Sequence, residues 1–527
     1  MTPAAPDTTG RTADRIALVC LVPLALLIWR FDFVCDDAFI SFRYSKNLAA
    51  GLGLAFNPGV EPPVEGYTNL LWVLWCSIPE RLGLDTGLWA RASLAVCSTA
   101  LLFGLVRLLA GRVGLVGPGQ LLVALTYACF PPVGLWSSSG LETMAFTAAY
   151  FLAFQRLVAR EGQPRYVQAA PFLVAACLLR SDGFVWGAML TGALWGGGLW
   201  GSRPELRRAA YLVAGVVGLT AALNIAWRLS YHGDWMPNTA HVKLGFGALS
   251  LERGGKYALT WLLQYPLMPL ALALGATHAW RRRDGVATAS VLVALGALAY
   301  VTAIGGDFLP MGRFVMPSVP FAFVALGAAV AAREEGGPRL RVAPAALAAV
   351  AALLSLLPAY GHTAVPGGVL DALHYNWNDK QRQSDLALWR GEVDRAAIWR
   401  DLGRALAIHA EPDDSLVTAS VGAIGYHCHV FLYDQYGLVS REVAAEPAPE
   451  GRRLSAGHDK FVAVDYFEPF EPTFMSARIV AVDANGELVR QPRSNRRPRY
   501  HSQLFPLDPA DGFEAGTALQ VMRLKPQ

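Results

Sequence analysis

An apolar run, residues 16–31, leads into the stretch Cys35-Asp36-Asp37-Ala38-Phe39-Ile40-Ser41-Phe42-Arg43-Tyr44. The run predicts a helix that enters a bilayer. We interpret it as a retained signal anchor, because it lacks a small-residue cleavage site. Two adjacent carboxylates beside a bilayer cost too much free energy to be kept without a partner or a use. Asp36 and Asp37 are therefore the first candidate site.

The composition places the whole chain in the membrane class. Of its 527 residues, 54% are hydrophobic and only 16% are charged, and the mean hydropathy is +0.33. These values are far from those of a soluble domain. The formal charge of +4 is too small to indicate nucleic acid as a partner. The seven cysteines show no paired spacing, so neither a disulfide framework nor a zinc site is indicated.

Apolar windows of about 20 residues predict an α-helical polytopic protein with about 11 transmembrane helices. The predicted spans are residues 16–31, 88–110, 120–136, 141–159, 166–180, 183–200, 208–229, 257–280, 286–304, 312–332 and 341–358. A further apolar run, residues 70–84, is short and is interrupted by Pro79, Glu80 and Arg81. We expect it to lie on the membrane surface.

The distribution of basic residues predicts the orientation. With residues 70–84 on the surface, clusters such as residues 203–208 and 281–283 fall on one side, which the positive-inside rule assigns to the cytoplasm. The opposite side receives a long first outer loop, about residues 32–87 with juxtamembrane helices, and other polar, Gly-rich and Pro-rich segments. The working surface is therefore predicted outside.

Charge density rises near residue 360, where the predicted spans stop. The chain is accordingly divided into a transmembrane domain, residues 1–358, and an extracytoplasmic soluble α/β domain, residues 359–527. Helical spacing of apolar residues predicts a helix over residues 379–409. Short β-branched and aromatic runs predict strands at residues 415–420, 430–433, 461–464 and 478–482.

The stretch after the first span predicts a helix to residue 50 on which Asp36, Ile40 and Arg43 share one face. Arg43 lies about 10 Å along the axis from Asp36, which is too far for a direct pair. This spacing suits a base and a cation that contact different parts of one ligand. The alternative is an acidic first turn that complements the helix dipole.

Other outer segments carry candidates with simpler alternatives. Ser139 and Glu142 have capping-box spacing, which favours a cap over chemistry, and Arg180 is expected to pair with Asp182 or to snorkel. Residues 231–243 and 305–314 are denser in functional side chains than a linker needs. In the second segment, Arg313 lies on the outer side against the charge rule, which favours an anionic partner such as a lipid phosphate.

Six motifs together resemble a known family. They are Asp-Asp-Ala-Phe-Ile-Ser-Phe-Arg-Tyr (36–44), Val-Glu-Gly-Tyr-Thr-Asn (64–69), Ser-Gly-Leu-Glu-Thr (139–143), Gly-Asp-x-x-Pro-Asn-Thr (233–239), Gly-Gly-Asp-Phe (305–308) and Val-Gly-Ala-Ile-Gly-Tyr (421–426). The set resembles the terminal β-1,2-arabinofuranosyltransferases of mycobacterial cell walls and their bacterial relatives, some of which carry the name flagellar motor control protein. The resemblance covers nearly the whole chain.

The resemblance implies a GT-C glycosyltransferase of the bacterial cytoplasmic membrane. Such an enzyme takes a sugar, arabinofuranose in the named family, from a polyprenyl phosphate on the outer leaflet and adds it to an envelope glycan. Asp36 or Asp37 would be the catalytic carboxylate, and Asp36 is favoured because it is nearer the span and shares the face of Arg43. The implied donor-phosphate ligands are Arg43, Lys243 and Arg313. The implied substrate-binding residues are Glu65, Tyr67, Asn69, Glu142, Asp234, Asn238 and Asp307.

Several points stay open at this stage. No metal site is predicted, and a divalent cation is left open as a cofactor. Adjacent carboxylates do not distinguish inverting from retaining transfer, and the sequence does not identify the donor sugar. One alternative function is a lipid-linked sugar transporter or flippase, although transporters usually show repeated halves. Another is a non-enzymatic membrane partner of a flagellar motor or an envelope assembly.

Overall fold

The computed structural model describes residues 8–158, 165–243, 247–334, 342–374, 384–447, 456–489 and 499–525. Residues 379–383, the start of the helix predicted over residues 379–409, lie outside these ranges. The described chain is mainly helical up to residue 409. Its helices there are α1 (Thr8–Arg30), α2 (Asp36–Ala49), α3 (Leu70–Leu82), α4 (Thr86–Leu108), α5 (Gly117–Ala128), α6 (Pro131–Trp136), α7 (Thr143–Val158), α8 (Tyr166–Leu179), α9 (Gly183–Trp200), α10 (Pro204–Tyr231), α11 (Asn238–Lys243), α12 (Ala248–Gln264), α13 (Leu267–Arg282), α14 (Gly285–Ala303), α15 (Val319–Glu334), α16 (Val342–Leu354), α17 (Gly367–Ala372) and α18 (Asp385–His409).

The protein is a multi-pass membrane protein, but about 11 straight spans are not confirmed. Five helical segments of the described chain have the length and apolar composition to cross a bilayer. They are Thr9–Arg30, Thr86–Val113, Pro204–Tyr231, Gly285–Ala303 and Met316–Arg333. Helices α12 and α13 together would make a sixth, but they meet at an angle of 90°. Several of the other predicted spans correspond to shorter helices.

Two predicted spans are wrong as single helices, and proline explains both. The span at 257–280 breaks between Gln264 and Leu267, where Tyr265 precedes Pro266 and leaves the helical conformation. The span at 120–136 breaks at Phe130, which is extended and precedes Pro131. A residue before proline is disfavoured in the α conformation, and proline has no amide hydrogen to donate.

Small residues bring the central helices close together. A Cβ atom on Gly197 of α9 would lie 2.2 Å from the carbonyl oxygen of Gly285, the first residue of α14. Only glycine therefore permits this contact. Association of helices in a bilayer depends on such close packing rather than on burial from water. The contact fixes α9 and α14, which both reach the candidate site.

A five-stranded sheet follows the helices. Strand β1 (Ser415–Thr418) is parallel to its two neighbours, β2 (Phe431–Asp434) and β3 (Phe474–Ala481). Strand β5 (Thr517–Leu524) is antiparallel to both β3 and β4 (Tyr500–Pro506), so the order is β2-β1-β3-β5-β4. Leu416 pairs with Leu432 on β2, and Gln503 pairs with Val521 across β4 and β5.

The sheet differs from the sequence prediction in its second half. The predicted strand at residues 461–464 is wrong, because this segment leads into a 3₁₀ helix, Val464–Phe470. Strands β4 and β5 were not predicted. Two short helices, α19 (Gly422–His427) and α20 (Arg441–Ala445), lie between the strands. Further short helical turns are Leu109–Val113, Pro310–Gly312, Met316–Ser318, Leu357–Tyr360 and Pro509–Asp511.

The sheet region rests on the end of the helix bundle that carries α2. The rings of Phe39 and Phe42 lie 5.5 Å and 6.0 Å from the ring of Tyr426 in α19. Trp389 of α18 lies edge-on to Phe31 at 5.3 Å. These aromatic contacts hold α2 between the bundle and the sheet, and they place a cavity beside it.

Candidate functional site

A cavity of about 650 Å³ lies where the bundle meets the sheet region. This volume is in the usual range for ligand sites, roughly 300–1,000 Å³. Its walls come from α2, α8, α9, α10, α11 and α14, from the segment before α15, and from loops of the sheet region. The side chains with chemical function are Asp37, Ser41, Tyr67, Asn69, Glu142, Arg180, Asp182, Asn224, Arg228, Trp235, Lys243, Tyr300, Asp307, Arg313 and His458.

Asp37, Asp307 and Arg313 form a charged cluster in the cavity wall. Arg313 Nη1 lies 3.4 Å from Asp37 Oδ2, while Nε and Nη2 donate to the Asp307 carboxylate at 2.8 Å and 3.0 Å. Burial disfavours the charged guanidinium, but the two carboxylates together raise the pKa of Arg313. Asp37 keeps 28% of its side chain exposed. Its Oδ1 atom accepts no hydrogen bond from any residue in the described ranges.

Lys243 supplies a second cation at the end of α11. Within the part of the chain that the structure describes, its ammonium forms no hydrogen bond and no salt bridge. Burial lowers the pKa of Lys243 below its usual value of 10.5, and the charge of Asp37 acts in the opposite direction. The cavity therefore contains a charged donor that is free to bind an anion beside the Arg313 cluster.

A hydrogen-bonded network forms another wall. Asn69 accepts a hydrogen bond from Ser41 at 3.1 Å and donates to Glu142 Oε2 at 2.8 Å. Arg180 donates to Glu142 Oε1 at 3.3 Å and binds Asp182 through two hydrogen bonds of 2.8 Å and 2.9 Å. This confirms the expected Arg180–Asp182 pair. The capping interpretation of Glu142 is wrong, because α7 begins at Thr143 and the carboxylate faces Asn69 and Arg180.

Asp36 lies outside the cavity, in contrast to its neighbour. Its Oδ1 accepts a hydrogen bond of 2.7 Å from the amide of Ala423 in α19, and only 8% of the residue is exposed. Burial raises the pKa of Asp36 to about 7, against the lowering effect of the Ala423 amide. Adjacent residues on a helix point about 100° apart, so the cavity face of α2 is Asp37, Ile40 and Ser41. The preference for Asp36 as the base is corrected accordingly.

Arg43 also lies outside the cavity. Its guanidinium donates to the carbonyl oxygens of Phe56, Gly425 and Val430 at 2.8 Å, 2.8 Å and 3.0 Å. Two further hydrogen bonds, of 3.4 Å to Asn57 Oδ1 and 4.0 Å to Cys428 Sγ, occupy the remaining N–H groups. The residue is buried at 4% exposure, so it has neither the access nor a spare donor for a substrate phosphate. Arg43 instead joins the first loop to the sheet region.

Some of the other predicted substrate-binding residues line the cavity, and the rest hold the segments that form its wall. Tyr67 lines the cavity, and its hydroxyl lies 3.1 Å from His232 Nε2. Glu65 is buried in a salt bridge of 2.9 Å with Arg228. These two lie on the segment between α2 and α3, and only Tyr67 reaches the cavity.

The residues predicted from the segment between α10 and α11 are supports. Asp234 pairs with His241 at 2.9 Å. Asn238 donates to the carbonyl oxygens of Gly437, Leu438 and Ser440. Neither side chain lines the cavity, although Trp235 between them does.

Sequence reasoning missed several cavity residues. Arg228 lies on α10 inside a predicted span, and a charge within a span is itself a signal of function that was available. Asn224 precedes it by one turn on the same face, which lines the cavity. Tyr300 donates to Asp182 at 2.6 Å from the end of α14, and His458 comes from a loop of the sheet region. No local pattern marked these last two.

A divalent cation does not fit the charged cluster. Arg313 already pairs with both Asp37 and Asp307, and Lys243 adds a second basic group beside them. No group of three or more His, Cys, Asp or Glu side chains in the described ranges is arranged to hold a metal ion. We therefore assign no step to a metal.

Solved structures identify the fold class. The chain superposes on ArnT from Cupriavidus metallidurans bound to undecaprenyl phosphate with a TM-score of 0.51 and 13% identity, covering 96% of this chain and 97% of that one. The apo state of ArnT gives 0.51 and 14% identity, covering 89% and 93%. ArnT is a GT-C glycosyltransferase. The fold of the chain is therefore of the GT-C type, as the motifs had predicted.

Curated relatives specify the resemblance further. The chain is similar to the terminal β-(1→2)-arabinofuranosyltransferase of Mycobacterium tuberculosis, with 28% identity over 268 residues, or 47% of this chain and 40% of the relative. The Corynebacterium glutamicum protein of the same name is 24% identical over 330 residues, or 55% of this chain and 47% of the relative. The chain thus spans less than half the length of either relative. A family model described as a domain of unknown function (DUF8728) matches residues 387–505.

Proposed function

We propose that the protein is a membrane glycosyltransferase that moves a sugar from a polyprenyl-phosphate donor to a hydroxyl group of an envelope glycan. Similarity to enzymes named arabinofuranosyltransferases supports the reaction class and makes arabinofuranose the first donor sugar to test. The likeness to ArnT bound to undecaprenyl phosphate supports a lipid phosphate as the donor. The basic clusters at the other end of the bundle favour a cavity on the extracytoplasmic side of the cytoplasmic membrane. Residues 1–358 and 359–527 remain our proposed domain division.

The observation that carries this proposal is the juxtaposition of Asp37 with two cations in one cavity. Arg313 is 3.4 Å from Asp37, and Lys243 is close enough for its pKa to depend on the charge of Asp37. A carboxylate suits a general base, and two adjacent cations suit a phosphate that gains charge as it leaves. The opposite charges required by the reaction are thus held together before any ligand binds.

In this reaction the acceptor hydroxyl oxygen attacks the anomeric carbon of the donor sugar, and Asp37 accepts the hydroxyl proton. The bond between the anomeric carbon and the phosphate oxygen breaks, and its electron pair stays on the phosphate. Lys243 and Arg313 stabilise the resulting negative charge. The lipid phosphate and the extended glycan are the two products, so atoms and charge balance without a metal.

The network of Asn69, Glu142 and Arg180 suits the hydroxyl groups of the sugar. Amide and carboxylate oxygens accept hydrogen bonds from hydroxyls, and the guanidinium donates them. We retain Tyr67, Asn69, Glu142 and Asp307 as substrate-side residues. Glu65 and Asn238 act one layer further out, where they hold the segments that carry Tyr67 and Lys243, and Asp234 lies outside the cavity on the loop of Trp235.

The decisive experiment uses the full chain in lipid vesicles with radiolabelled polyprenyl-phosphate pentoses and hexoses and a soluble glycan acceptor. Loss of a general base typically costs 10²- to 10⁴-fold in rate, so Asp37→Asn should lower kcat by about this factor. Asp36→Asn is the matched control, because it makes the same chemical change one residue away, outside the cavity. We expect it to keep activity within about tenfold.

Sugar transfer by Asp37→Asn at the wild-type rate would refute the assigned base. No transfer by the wild type with any donor, together with movement of labelled donor between leaflets, would instead favour the transporter function. A third outcome is that the wild type neither transfers sugar nor moves donor between leaflets, while Asp37→Asn and Asp36→Asn behave like the wild type in the cell. This outcome would favour a function as a non-enzymatic partner of a membrane assembly.

A further inference from the structure

The loop between α10 and α11 presents an exposed tryptophan to the cavity. Trp235 lines the cavity and still has 55% of its surface exposed. Within the described residues its indole forms no ring stack and no hydrogen bond. Trp72, Trp136 and Trp186, by contrast, are only 0–2% exposed and fill the core. Trp235 is therefore not needed to fill the protein core.

The backbone around Trp235 is fixed although its side chain is not packed. Gly233 adopts φ +71° beside the ring of Pro62, a conformation that favours glycine. Asp234 Oδ1 accepts a hydrogen bond of 3.1 Å from the amide of Met236. Asn238 binds three carbonyl groups of the sheet region on the other side. The loop thus holds the indole in one place without covering it.

The surroundings of Trp235 have the chemistry of a carbohydrate subsite. An indole face is apolar and electron-rich, so it suits the C–H groups on one face of a sugar ring. The adjacent Asp234–His241 pair is half-exposed, at 32% and 36% of the two side chains, and it offers a carboxylate acceptor for hydroxyl groups. A lipid tail carries no hydroxyl group that could donate to the carboxylate. A phosphate carries no apolar C–H face that could stack on the indole.

We propose that Trp235 is the stacking platform for a sugar residue of the acceptor glycan, and this assignment rests on the proposed function. The donor is held in the membrane by its lipid, with its phosphate at Lys243 and Arg313. An acceptor polymer must instead leave the cavity toward water. A platform that lies half in the cavity and half in solvent meets that requirement, whereas the buried wall around Glu142, which is 5% exposed, does not.

The test compares Trp235→Ala with Trp235→Phe and with Trp29→Ala. Trp29 lies at the end of α1 and is 78% exposed, so it controls for general anchoring of tryptophan at a membrane surface. We expect Trp235→Ala to raise the acceptor KM about tenfold while the donor KM and the hydrolysis of donor by water stay unchanged. Trp235→Phe should stay within about threefold of the wild type, and Trp29→Ala should match it.

A second measurement needs no transfer reaction. Saturation-transfer NMR with an arabinofuranose hexasaccharide and a glucopyranose hexasaccharide should show binding to the wild type and to Trp235→Phe, and loss of binding in Trp235→Ala. Binding of this kind without sugar transfer would refute the proposed function and support the platform. Transfer with an unchanged acceptor KM in Trp235→Ala, or no binding of either hexasaccharide to the wild type, would overturn the platform.

Discussion

Replacing Arg43 with methionine should loosen the junction between the first loop and the sheet region. Methionine has a similar length and no donors, so it keeps much of the packing and removes every hydrogen bond of the guanidinium. The carbonyl groups of Phe56, Gly425 and Val430 would then lose this donor in a buried place. The sequence alone had assigned Arg43 to the donor phosphate. The variant therefore distinguishes a role in binding the donor from a role in joining the first loop to the sheet region.

The size of the effect follows from the contacts with Gly425 and Val430, because the Phe56 carbonyl keeps a second hydrogen bond, of 3.1 Å, from Asn47. An unsatisfied buried polar group costs about 1–3 kcal/mol. Methionine recovers part of this, because no charge has to be buried any longer. We expect the free energy of local opening to fall by about 3 kcal/mol, which corresponds to an increase of more than about a hundredfold in the open population.

Hydrogen–deuterium exchange measures this opening directly. Peptides that cover residues 422–434 report on α19 and β2, where the amide of Leu432 bonds to Asn57 at 3.1 Å. Their exchange should accelerate strongly in Arg43→Met. Lys46→Met is the matched control, since Lys46 also contacts α19, at the carbonyl of Tyr426, but on the exposed side. It should change the opening free energy by less than about 1 kcal/mol.

One result would refute the reasoning. If Arg43→Met exchanges like the wild type while the donor KM rises, then Arg43 contacts the substrate and the junction does not depend on it. Faster exchange with an unchanged donor KM would support the structural role.

Three further predictions test other contacts. Because burial raises the pKa of Asp36 to about 7 from its usual 3.8, the wild type should lose thermal stability as the pH rises from about 4 to 7 and then level off. Burial also raises the pKa of Glu65 to about 7 and that of Asp434 to about 6, so both contribute to that decline. Asp36→Asn keeps an oxygen acceptor for Ala423 without the charge, so its melting temperature should decline less than that of the wild type; an identical decline would exclude Asp36 as a contributor. Gly422→Ala would place a Cβ atom 2.2 Å from the Asp36 carbonyl oxygen, and it should lower the melting temperature clearly, unlike Gly255→Ala, where nothing lies within 4 Å. Lys243→Met should raise the donor KM at least tenfold at neutral pH in initial-rate assays. Since burial lowers the pKa of Lys243, the wild-type donor KM should rise at a pH below the usual lysine range, and this rise should be absent in the variant.

The sequence predicted the membrane class, the GT-C resemblance and much of the cavity wall. Asp37, Asn69, Glu142, Lys243, Asp307 and Arg313 were all selected in advance, and all line the cavity. These residues could be found because polar side chains are rare in an apolar chain and have to be explained individually. The bends at Tyr265 and Phe130 were also accessible, since both residues precede a proline.

The functions of Asp36 and Arg43 could not be predicted in the same way. Their helix was predicted, but the direction of its faces depends on α19, which comes 387 positions later than Asp36. No local pattern states that Ala423 will donate to one carboxylate of the pair and leave the other in the cavity. Trp235 presented the same difficulty, because a tryptophan at a loop beside a membrane has several ordinary explanations.

The contact between Asp36 and Ala423 also affects when the protein can become active during synthesis. The first loop emerges early, but its partner amide is added 387 residues afterwards. At about 5–20 residues per second, the ribosome needs roughly 20–80 s to reach it. During this interval Asp36 and Arg43 lack their partners from the sheet region, so the helix that carries Asp37 is not yet held in place. A nascent chain would therefore contain the reactive carboxylate long before it had a site in which to use it.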